Sequence, residues 1–435
     1  MKRYDSYKDS GVEWIGEIPS SWKKLKIKYL FSHTKGKNGQ KLTKEFIGNN
    51  PGEYPVYSGT TKGEGHLGKT NEYEFDTQEK EVIFVSTVGS DTTVMSTKVL
   101  KGKFNLSQNC LIMTPIFDFS SRYQYYFTTH DFPYQRKVLP IVLKEGHRSV
   151  GMGELNEFTS LLPPLFEQQQ IVSFLDTKTS HIDSLIEKTQ QKIELLKEKK
   201  TSLINEVVTK GLNPNVEMKD SGVEWIGKIP IHYQMISIKF LVTTPVTDGP
   251  HETPVFVDEG IPFLSVNGVV GNKINFNKVR GYITNELHIE YSKKCKPQRD
   301  DVLLVKSGST TGKSTIVETD LNFNIWSPLC IIRSNTNKII PRFTFHTFQS
   351  GYFIELIENN WSYGTQPNIG MNVVENLSIV VPPISEQQQI VDYLDEQTEL
   401  IDKTIFIEEK RIELLKEYRQ SLISEVVTGK RKVTN

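Results

Sequence analysis

Two long segments of the chain place apolar residues at spacings of three, four and seven, and neither segment contains a glycine or a proline. This pattern continues over about six heptads and is typical of a long helix that packs against another helix. About 43 helical residues would span roughly 65 Å. Because a block of chain precedes each helix, we expect antiparallel pairing with the blocks at opposite ends. The predicted apolar seam of the helix pair contains Ile171, Leu175, Ile182, Ile186, Ile193, Leu196, Leu203, Ile390, Leu394, Ile401, Ile405, Ile412, Leu415 and Leu422.

Short signals mark the ends of both predicted helices. A proline pair precedes each helix, at 163–164 and 382–383, and a glycine follows each one. Proline is tolerated at a helix start, and glycine is the usual residue just past a helix end. In the second helix, Ser385 and Gln388 also match the pattern of a capping box.

The blocks before the two helices have a different pattern. Short apolar runs, such as EVIFVST at 81–87 and DVLLVKS at 301–307, alternate with loops rich in glycine, serine, threonine and asparagine. That alternation predicts β-rich domains with long polar loops. The predicted fold class is α+β. The predicted divisions are an N-terminal arm and domain at 1–162, a first spacer helix at 163–211, a second domain with its lead-in repeat at 212–381, and a second spacer helix with its tail at 382–435.

Two segments of the chain occur twice. KDSGVEWIG stands at 8–16 and again at 219–227, and PPLFEQQQIVSFLD at 163–176 is matched by PPISEQQQIVDYLD at 382–395. The second repeat continues along the helices, where 27 of 47 aligned positions are identical. The blocks between the repeats show little similarity to each other. We interpret the chain as an internal duplication in which the repeated segments were kept while the blocks between them diverged.

Composition and charge limit the function classes. The 435 residues include 52 basic and 52 acidic side chains, so the net charge gives no indication of a polyanionic partner. The charge is unevenly divided, because residues 23–160 contain 19 basic and 14 acidic side chains, whereas residues 384–430 contain 6 and 11. The three cysteines form no CxxC pair, so neither a disulfide framework nor a zinc site is predicted. Without a signal segment or an apolar run of roughly 20 residues, we expect a cytoplasmic protein.

One segment invites a nucleotide-binding interpretation. In DVLLVKSGSTTGKSTIV, a β-like run is followed by Gly312, Lys313 and Ser314, as in a P-loop. However, Ser307 stands where the pattern requires glycine, and the residues that follow lack the period of a phosphate-binding helix. We favour a polar loop suited to a nucleic-acid surface, with a plain turn and an ATP site as the alternatives.

No catalytic set is evident in the sequence. The Asn- or Asp-Pro-Pro-aromatic tetrapeptide of amino-methyltransferases is missing, because Leu162 and Val381 precede the two proline pairs. There is no Rossmann fingerprint or nuclease arrangement, and the histidines lack the spacing of metal ligands. We therefore predict a chain that is not an enzyme and that binds no metal or cofactor itself.

Taken together, these motifs resemble the specificity (S) subunits of type I restriction-modification systems over essentially the whole chain. The helix openings at 163–183 and 382–402 are the strongest carriers, followed by GVEWIGEIPSSW at 11–22 and GVEWIGKIP at 222–230. The resemblance implies two target recognition domains, each reading one half of a bipartite DNA sequence. It also implies two antiparallel coiled-coil helices, arranged as a pseudo-twofold duplication, that set the gap between the halves.

The resemblance also implies partners. Two methyltransferase subunits would bind the chain, and restriction (translocase/endonuclease) subunits would join through them. S-adenosylmethionine, ATP and Mg are expected on those partners. On this interpretation KDSGVEWIG occurs twice because two modules present the same docking surface to two identical partners. Half-sites on one face of DNA lie about 34 Å apart, and a helix pair of roughly 65 Å is long enough to bracket them.

We predict the DNA contacts in the polar loops of both blocks. Serine, threonine, asparagine and glutamine can hydrogen-bond base edges, and lysine can bind phosphate. An ordinary turn role is the alternative for each single residue. The predicted contacts are Ser58, Thr60, Thr61, Lys62, Thr87, Ser90, Thr92 and Gln108 in the first domain, and His251, Thr253, Asn267, Ser309, Thr310, Thr311, Lys313, Gln366 and Asn368 in the second.

Three other hypotheses stay open at this point. A P-loop ATPase would lose nucleotide binding in a Lys313→Ala variant. A coiled-coil scaffold unrelated to DNA would show no change in DNA specificity when the variable blocks are exchanged. A specificity subunit of a related restriction–methylation enzyme without a translocase would be distinguished by its partner gene.

Overall fold

The computed structural model describes residues 3–59, 65–90, 93–138, 148–363 and 366–433. The chain divides into two compact units, Met1–Thr189 with Lys410–Asn435, and Gln190–Glu409. Each unit combines helices with sheets, which confirms the predicted mixture of α and β structure. The unit boundaries fall inside the two long helices, whereas the sequence suggested that each helix forms a division of its own.

The first unit is built from short strands that form two four-stranded sheets and several two-stranded pairs. Its described strands are β1 (Tyr7–Asp9), β2 (Glu17–Pro19), β3 (Lys23–Lys26), β4 (Phe31–Lys35), β5 (Pro51–Tyr57), β6 (His66–Thr70), β7 (Phe75–Asp76), β8 (Val82–Ser86), β9 (Val88–Gly89), β10 (Thr97–Leu100), β11 (Lys103–Leu106), β12 (Cys110–Pro115), β13 (Arg148–Ser149) and β14 (Thr159–Leu162). Its shorter helices are α1 (Lys44–Asn49), α2 (Ser121–Val138) and α3 (Met152–Glu157), and the first long helix is α4 (Leu165–Lys210). All five residues of β8 are buried, as its continuous apolar run predicts.

The second unit is also built from short strands, with one four-stranded and one three-stranded sheet. Its described strands are β15 (Met218–Asp220), β16 (Lys228–Pro230), β17 (Gln234–Ser237), β18 (Thr247–Asp248), β19 (Ile261–Leu264), β20 (Val269–Val270), β21 (Lys273–Ile274), β22 (Gly281–Ile283), β23 (Val302–Val305), β24 (Ser314–Ile316), β25 (Asn324–Ile325), β26 (Leu329–Ile332), β27 (Ser362–Tyr363), β28 (Pro367–Asn368) and β29 (Ser378–Val381). Its shorter helices are α5 (Asn285–Ser292), α6 (Pro341–Phe348), α7 (Gly351–Glu358) and α8 (Met371–Asn376), and the second long helix is α9 (Ile384–Val427).

The two units share one sheet topology although their variable blocks differ in sequence. The strand order β10-β8-β12-β4 in the first unit corresponds to β24-β23-β26-β18 in the second, and β6-β5-β11 corresponds to β22-β19-β25. In both units one pair is parallel, β5 with β11 and β19 with β25. The diverged blocks therefore form the same scaffold, and equivalent loops lie at equivalent places in it.

In the first unit, the beginning of α4 packs against the end of α9. Ile171 and Leu175 share a hydrophobic cluster with Val426. Further along α4, Asp183 Oδ1 lies 2.8 Å from Nε of Arg419, which stands earlier in α9. Because later residues of one helix contact earlier residues of the other, these two segments run antiparallel.

In the second unit, the end of α4 packs against the beginning of α9. Lys192 pairs with Glu408 and Lys200 pairs with Asp402, each with 2.6 Å between nitrogen and oxygen, so these segments are antiparallel as well. All fourteen residues of the predicted seam are buried or half-buried. Full burial of one such aliphatic side chain contributes about 1.5–3 kcal/mol. The apolar seam is therefore a major source of stability in both units.

The ends of the long helices agree with one sequence signal and disagree with another. Gly211 and Gly429 follow the helices with φ of +76° and +75°, a conformation that favours glycine. The predicted capping box is wrong, because α9 begins one residue before Ser385, which therefore lies in the first helical turn. The carbonyl of Pro383 accepts hydrogen bonds from the backbone N–H groups of Glu386 and Gln387, both at 3.0 Å, and so takes part in the first turn.

The repeated segment KDSGVEWIG folds in the same way in both units. It supplies the end of β1 and the turn of the hairpin β1–β2 in the first unit, and the end of β15 and the turn of β15–β16 in the second. The N–H of Ser10 donates to the carbonyl of Gly16 at 3.0 Å, and the N–H of Ser221 donates to that of Gly227 at 2.9 Å. The two copies thus have the same backbone fold.

The first glutamine of each EQQQI motif ties a long helix to its own unit. Gln168 and Gln387 both have buried side chains. Their amide oxygens accept from the backbone N–H of Ser120 at 2.9 Å and of Ile340 at 2.8 Å, respectively. Their amide nitrogens donate to the carbonyl of the first residue of each proline pair, both at 2.8 Å. The motif therefore fixes how each long helix leaves its domain.

We expect Gln387→Leu to destabilise the second unit. The change leaves the N–H of Ile340 and the carbonyls of Pro382 and Lys338 without their partner. Each unsatisfied buried group costs about 1–3 kcal/mol. A lower midpoint of urea unfolding, followed by circular dichroism, would show the loss. The matched control is Gln388→Leu, because among the described residues this exposed neighbour bonds within its own helix, to Asp392. The stability of this variant should stay within about 0.5 kcal/mol of the original chain. Equal midpoints for the two variants would contradict the assigned role.

Candidate nucleic-acid interface

A polar loop closes a β-hairpin at the same place in each unit. The first hairpin loop, described at residues 87–90 and 93–96, lies between β8 and β10, and the second hairpin loop, residues 306–313, joins β23 to β24. The N–H of Thr87 donates to the carbonyl of Asn109 at 2.9 Å, and the N–H of Lys306 donates to that of Pro328 at 2.8 Å. The two loops therefore leave their sheets through the same backbone contact.

A short strand returns beside each hairpin loop. In the first unit, β13 pairs with β9, and the N–H of Val150 donates to the carbonyl of Thr87 at 2.9 Å. In the second unit, β28 bridges to the loop at Ser307, and the N–H of Ile369 donates to the carbonyl of Lys306 at 2.8 Å. Each domain thus assembles one polar surface from two segments that are distant in sequence.

The second hairpin loop brings six of the predicted contacts together. The N–H of Gly308 donates to the carbonyl of Pro367 at 3.1 Å, which joins the loop to the returning strand. The hydroxyl of Thr311 donates to the carbonyl of Gly308 at 2.8 Å, so this side chain helps to hold the loop. Exposed side chains at this surface are Ser309, Lys313, Gln366 and Asn368, and half-buried ones are Thr310 and Thr311.

In the first domain the structure changes the predicted set. Ser90 and Gln108 are exposed. Thr87 is buried, and its hydroxyl donates to the carbonyl of Asn109 at 2.8 Å, so the prediction that Thr87 contacts DNA does not fit this conformation. Ser58 is 7% exposed and offers little surface to a ligand. The remaining predicted contacts of this domain lie outside the described residues, namely Thr60, Thr61, Lys62 and Thr92.

A buried carboxylate lies at the base of the second hairpin loop. Asp248 Oδ2 lies 3.2 Å from Nζ of Lys306 and 3.1 Å from Nε2 of His251, while Oδ1 accepts from Nζ of Lys294 at 2.8 Å. Burial raises the pKa of the Asp248 carboxyl, but the two lysines outweigh that effect and hold the pKa below its usual value. His251, a predicted DNA contact, and Lys306 of the hairpin loop therefore both lie against the same carboxylate, that of Asp248.

A second group of polar residues surrounds a cavity of about 730 Å³ in the same domain. Asn267, Lys278, Arg280 and Trp326 line it. The predicted contact Thr253 joins this group, because its hydroxyl accepts a hydrogen bond from Nη2 of Arg280 at 3.3 Å. Asn267 was predicted, whereas the other lining residues were missed, because lysine, arginine and tryptophan outside a polar loop carry no local signal of their own.

Two basic residues of the first domain lie near its predicted contacts, although the sequence did not single them out. Arg148 lies in β13, beside the first hairpin loop, at the place that Pro367 takes in the second domain. Lys98 lies 5.4 Å from the ring centroid of Phe84, and burial lowers the pKa of its ammonium group. Only the shared topology reveals the position of Arg148, since the two blocks do not align in sequence.

The structure also bears on the alternative functions. The segment around Lys313 forms the antiparallel hairpin β23–β24, so no helix follows it as a P-loop requires. Within the described ranges, no three or more His, Cys, Asp or Glu side chains are grouped to hold a metal ion. Likewise, no helix in the described part of the chain is long and apolar enough to span a membrane.

Comparison with known proteins identifies the class. The family model of the type I restriction modification DNA specificity domain matches residues 19–195 and 256–417, which is more than half of the chain. The chain therefore belongs to the family of type I restriction-modification specificity subunits. The family resemblance predicted from the sequence is confirmed.

Similar proteins match the chain over nearly its full length. A putative type I restriction enzyme MjaX specificity subunit of Methanocaldococcus jannaschii is 25% identical over 437 residues, covering 96% of each chain. The MjaVIII specificity subunit of the same organism is 24% identical over 441 residues, covering 96% of this chain and 95% of its own. A chain from a solved structure of a type I R-M system has a TM-score of 0.67 at 15% identity, covering 94% of this chain and 98% of its own, which shows a shared fold.

The charge cluster around Asp248 predicts a pH dependence of stability. A carboxylate with a lowered folded-state pKa stabilises the protein above its unfolded-state pKa, near 3.8, and loses that contribution as the pH falls through the folded-state value. We expect Asp248→Asn to lower the unfolding midpoint at pH 7. The difference from the original chain should shrink as the pH falls below about 4.

The control for this prediction is Asp258→Asn, which changes an exposed carboxylate of the same domain. Its difference from the original chain should stay small between pH 7 and pH 3. Urea unfolding at each pH gives both differences. A difference for Asp248→Asn that stays constant down to pH 3 would show that the ion pairs do not stabilise the domain.

Proposed function

We propose that the two domains act as target recognition domains, each reading one half of a bipartite DNA sequence. The observation that carries the proposal is the recurrence of one scaffold with a polar hairpin loop and a returning strand in both units. Hydroxyl, amide and lysine side chains at this surface are suited to base edges and phosphates. The first domain adds a net positive charge, with 19 basic and 14 acidic residues in 23–160.

The helix pair is proposed to set the gap between the two half-sites. Its apolar seam and its ion pairs, Lys192–Glu408 and Lys200–Asp402 among them, fix one register between α4 and α9. The acidic character of 384–430, with 6 basic and 11 acidic residues, favours a spacer that does not itself bind DNA. In this proposal the helices form an antiparallel coiled coil with a pseudo-twofold relation between the two halves of the chain.

Catalysis is proposed to reside in partner subunits. Two methyltransferase subunits would dock on this chain, and restriction subunits would join through them, with S-adenosylmethionine, ATP and Mg bound by the partners. The two matching hairpins β1–β2 and β15–β16 support two equivalent docking sites. Exposed residues at corresponding positions, such as Glu13 and Glu224, would make the same contact in each copy.

A methylation map tests the proposed function directly. We would express this chain with its neighbouring methyltransferase gene in a host without DNA methylation and sequence the genome for N6-methyladenine. The expected result is one bipartite motif with a fixed gap, which disappears when this chain is omitted. Methylation that does not depend on this chain, from a partner shown to be folded and bound, would refute the proposal.

Exchange of one variable block tests whether each domain reads its own half-site independently of the other. Replacing residues 234–381 with the corresponding block of a relative should change one half of the motif and leave the other half and the gap unchanged, because the helices and the first domain are kept. The reciprocal exchange of residues 23–162 is the matched control and should change the opposite half. A change in both halves from either exchange would contradict independent reading.

A further inference from the structure

Arg280 of the second unit is held in a fixed plane. Its guanidinium carbon lies 3.3 Å from the centroid of the Trp326 ring, a close stacking contact. Nη2 donates to the hydroxyl of Thr253 at 3.3 Å, and the remaining guanidinium N–H groups make no hydrogen bond to a described residue. A planar cation stacked on an aromatic face keeps its orientation, which a flexible lysine would not.

The surroundings of Arg280 are unlike those of the other arginines of this unit. Within the described residues of 190–409, Arg280 is the arginine without a carboxylate partner. The other three each bind one, in the pairs Arg299–Asp320, Arg333–Asp301 and Arg342–Asp395. A half-buried guanidinium that is oriented but uncompensated has its charge and several donors available to a ligand. The Nε1 atom of Trp326 is also buried, with no hydrogen-bond partner in the described part of the chain.

The backbone around this pair is tightly determined. The N–H of Arg280 donates to the carbonyl of Phe263, and the N–H of Trp326 donates to that of Leu264, both at 2.9 Å. A Cβ at Gly281 would lie 2.4 Å from the ring of Phe256, so the chain beside Arg280 has no room for a side chain there. Arg280 directly precedes β22 and Trp326 directly follows β25, so the stacked pair is anchored at the ends of two strands of one sheet, which fixes a side chain more precisely than a free loop does.

We propose that Arg280, positioned by Trp326 and Thr253, reads a guanine in the half-site of the second domain. Guanine presents two acceptors, N7 and O6, at its major-groove edge, and the arginine fork matches both. Adenine and cytosine each place an amino donor at that edge, so a fork of donors discriminates against them. Lys278 beside the cavity can meet a phosphate, which needs no fixed plane. This inference rests on the proposed function and specifies one base of the half-site that the second domain reads.

The test is the methylation map of Arg280→Ala and Arg280→Lys chains, each co-expressed with the methyltransferase gene. The half of the motif that survives exchange of residues 23–162 belongs to the second domain. The original chain should require a G·C pair at one position of that half. Both variants should methylate sites with other pairs at that position, with discrimination reduced roughly 5- to 150-fold, while the other positions stay unchanged. Arg280→Lys keeps the positive charge and removes the fork.

The matched control is Arg299→Ala, in which an exposed arginine already paired with Asp320 is removed from the same domain. Its motif should equal that of the original chain. The inference is overturned if the second half-motif contains no fixed G·C pair, if both variants weaken methylation equally at all sites, or if Arg280→Lys restores the original motif. A bipartite motif that depends on this chain would still support the proposed function in each of these cases.

Discussion

The burial of one apolar seam between α4 and α9 is the constraint on which both units depend. Each unit includes part of both long helices: the first unit joins Met1–Thr189 to Lys410–Asn435, whereas the second is the continuous stretch Gln190–Glu409. Ile171 and Leu175 in the first unit, and Leu394 in the second, are fully buried at these contacts. A change in the seam therefore acts on both the helix pair and the domain beside it, because the same side chains belong to the domain cores.

The duplication is preserved in the helices and their anchoring contacts, and its sequence has diverged in the two variable blocks. Gln168 and Gln387 make equivalent hydrogen bonds. Asp176 binds Arg122 of α2, and Asp395 binds Arg342 of α6. Between these anchors the sheets keep their strand order while the side chains change. A scaffold defined by hydrogen-bonded strands and a buried interior tolerates such replacement, because its geometry depends on the apolar pattern more than on particular residues. Specificity can then diverge without a change of fold.

The basic side chains of the second domain fall into two groups, those paired with a carboxylate and those without such a partner among the described residues. Lys306, Lys294 and His251 surround the buried Asp248. These groups are therefore engaged with the carboxylate at the base of the hairpin loop. Arg280 is stacked and has no acidic partner among the described residues, and Lys313 is exposed on the hairpin loop. In this domain the partners of each charge matter beside the net charge, because paired charges contribute to stability and unpaired ones are available to attract an anion.

The class of protein followed from the resemblance of the chain's motifs to a known family. The sequence by itself determined the duplication, the long helices with their seam, and the glycines at their ends, because helical period and identical repeats are local properties of the chain. It also placed Ser309, Lys313, Gln366 and Asn368 in the polar surface, since turn-rich polar loops between strands are visible in composition. Only the tertiary structure decided that the two variable blocks share one topology, that Thr87 is turned inward, and that Trp326 holds Arg280. Those outcomes depend on strand pairing and side-chain contacts between residues tens of positions apart, which a single sequence does not encode in any local pattern.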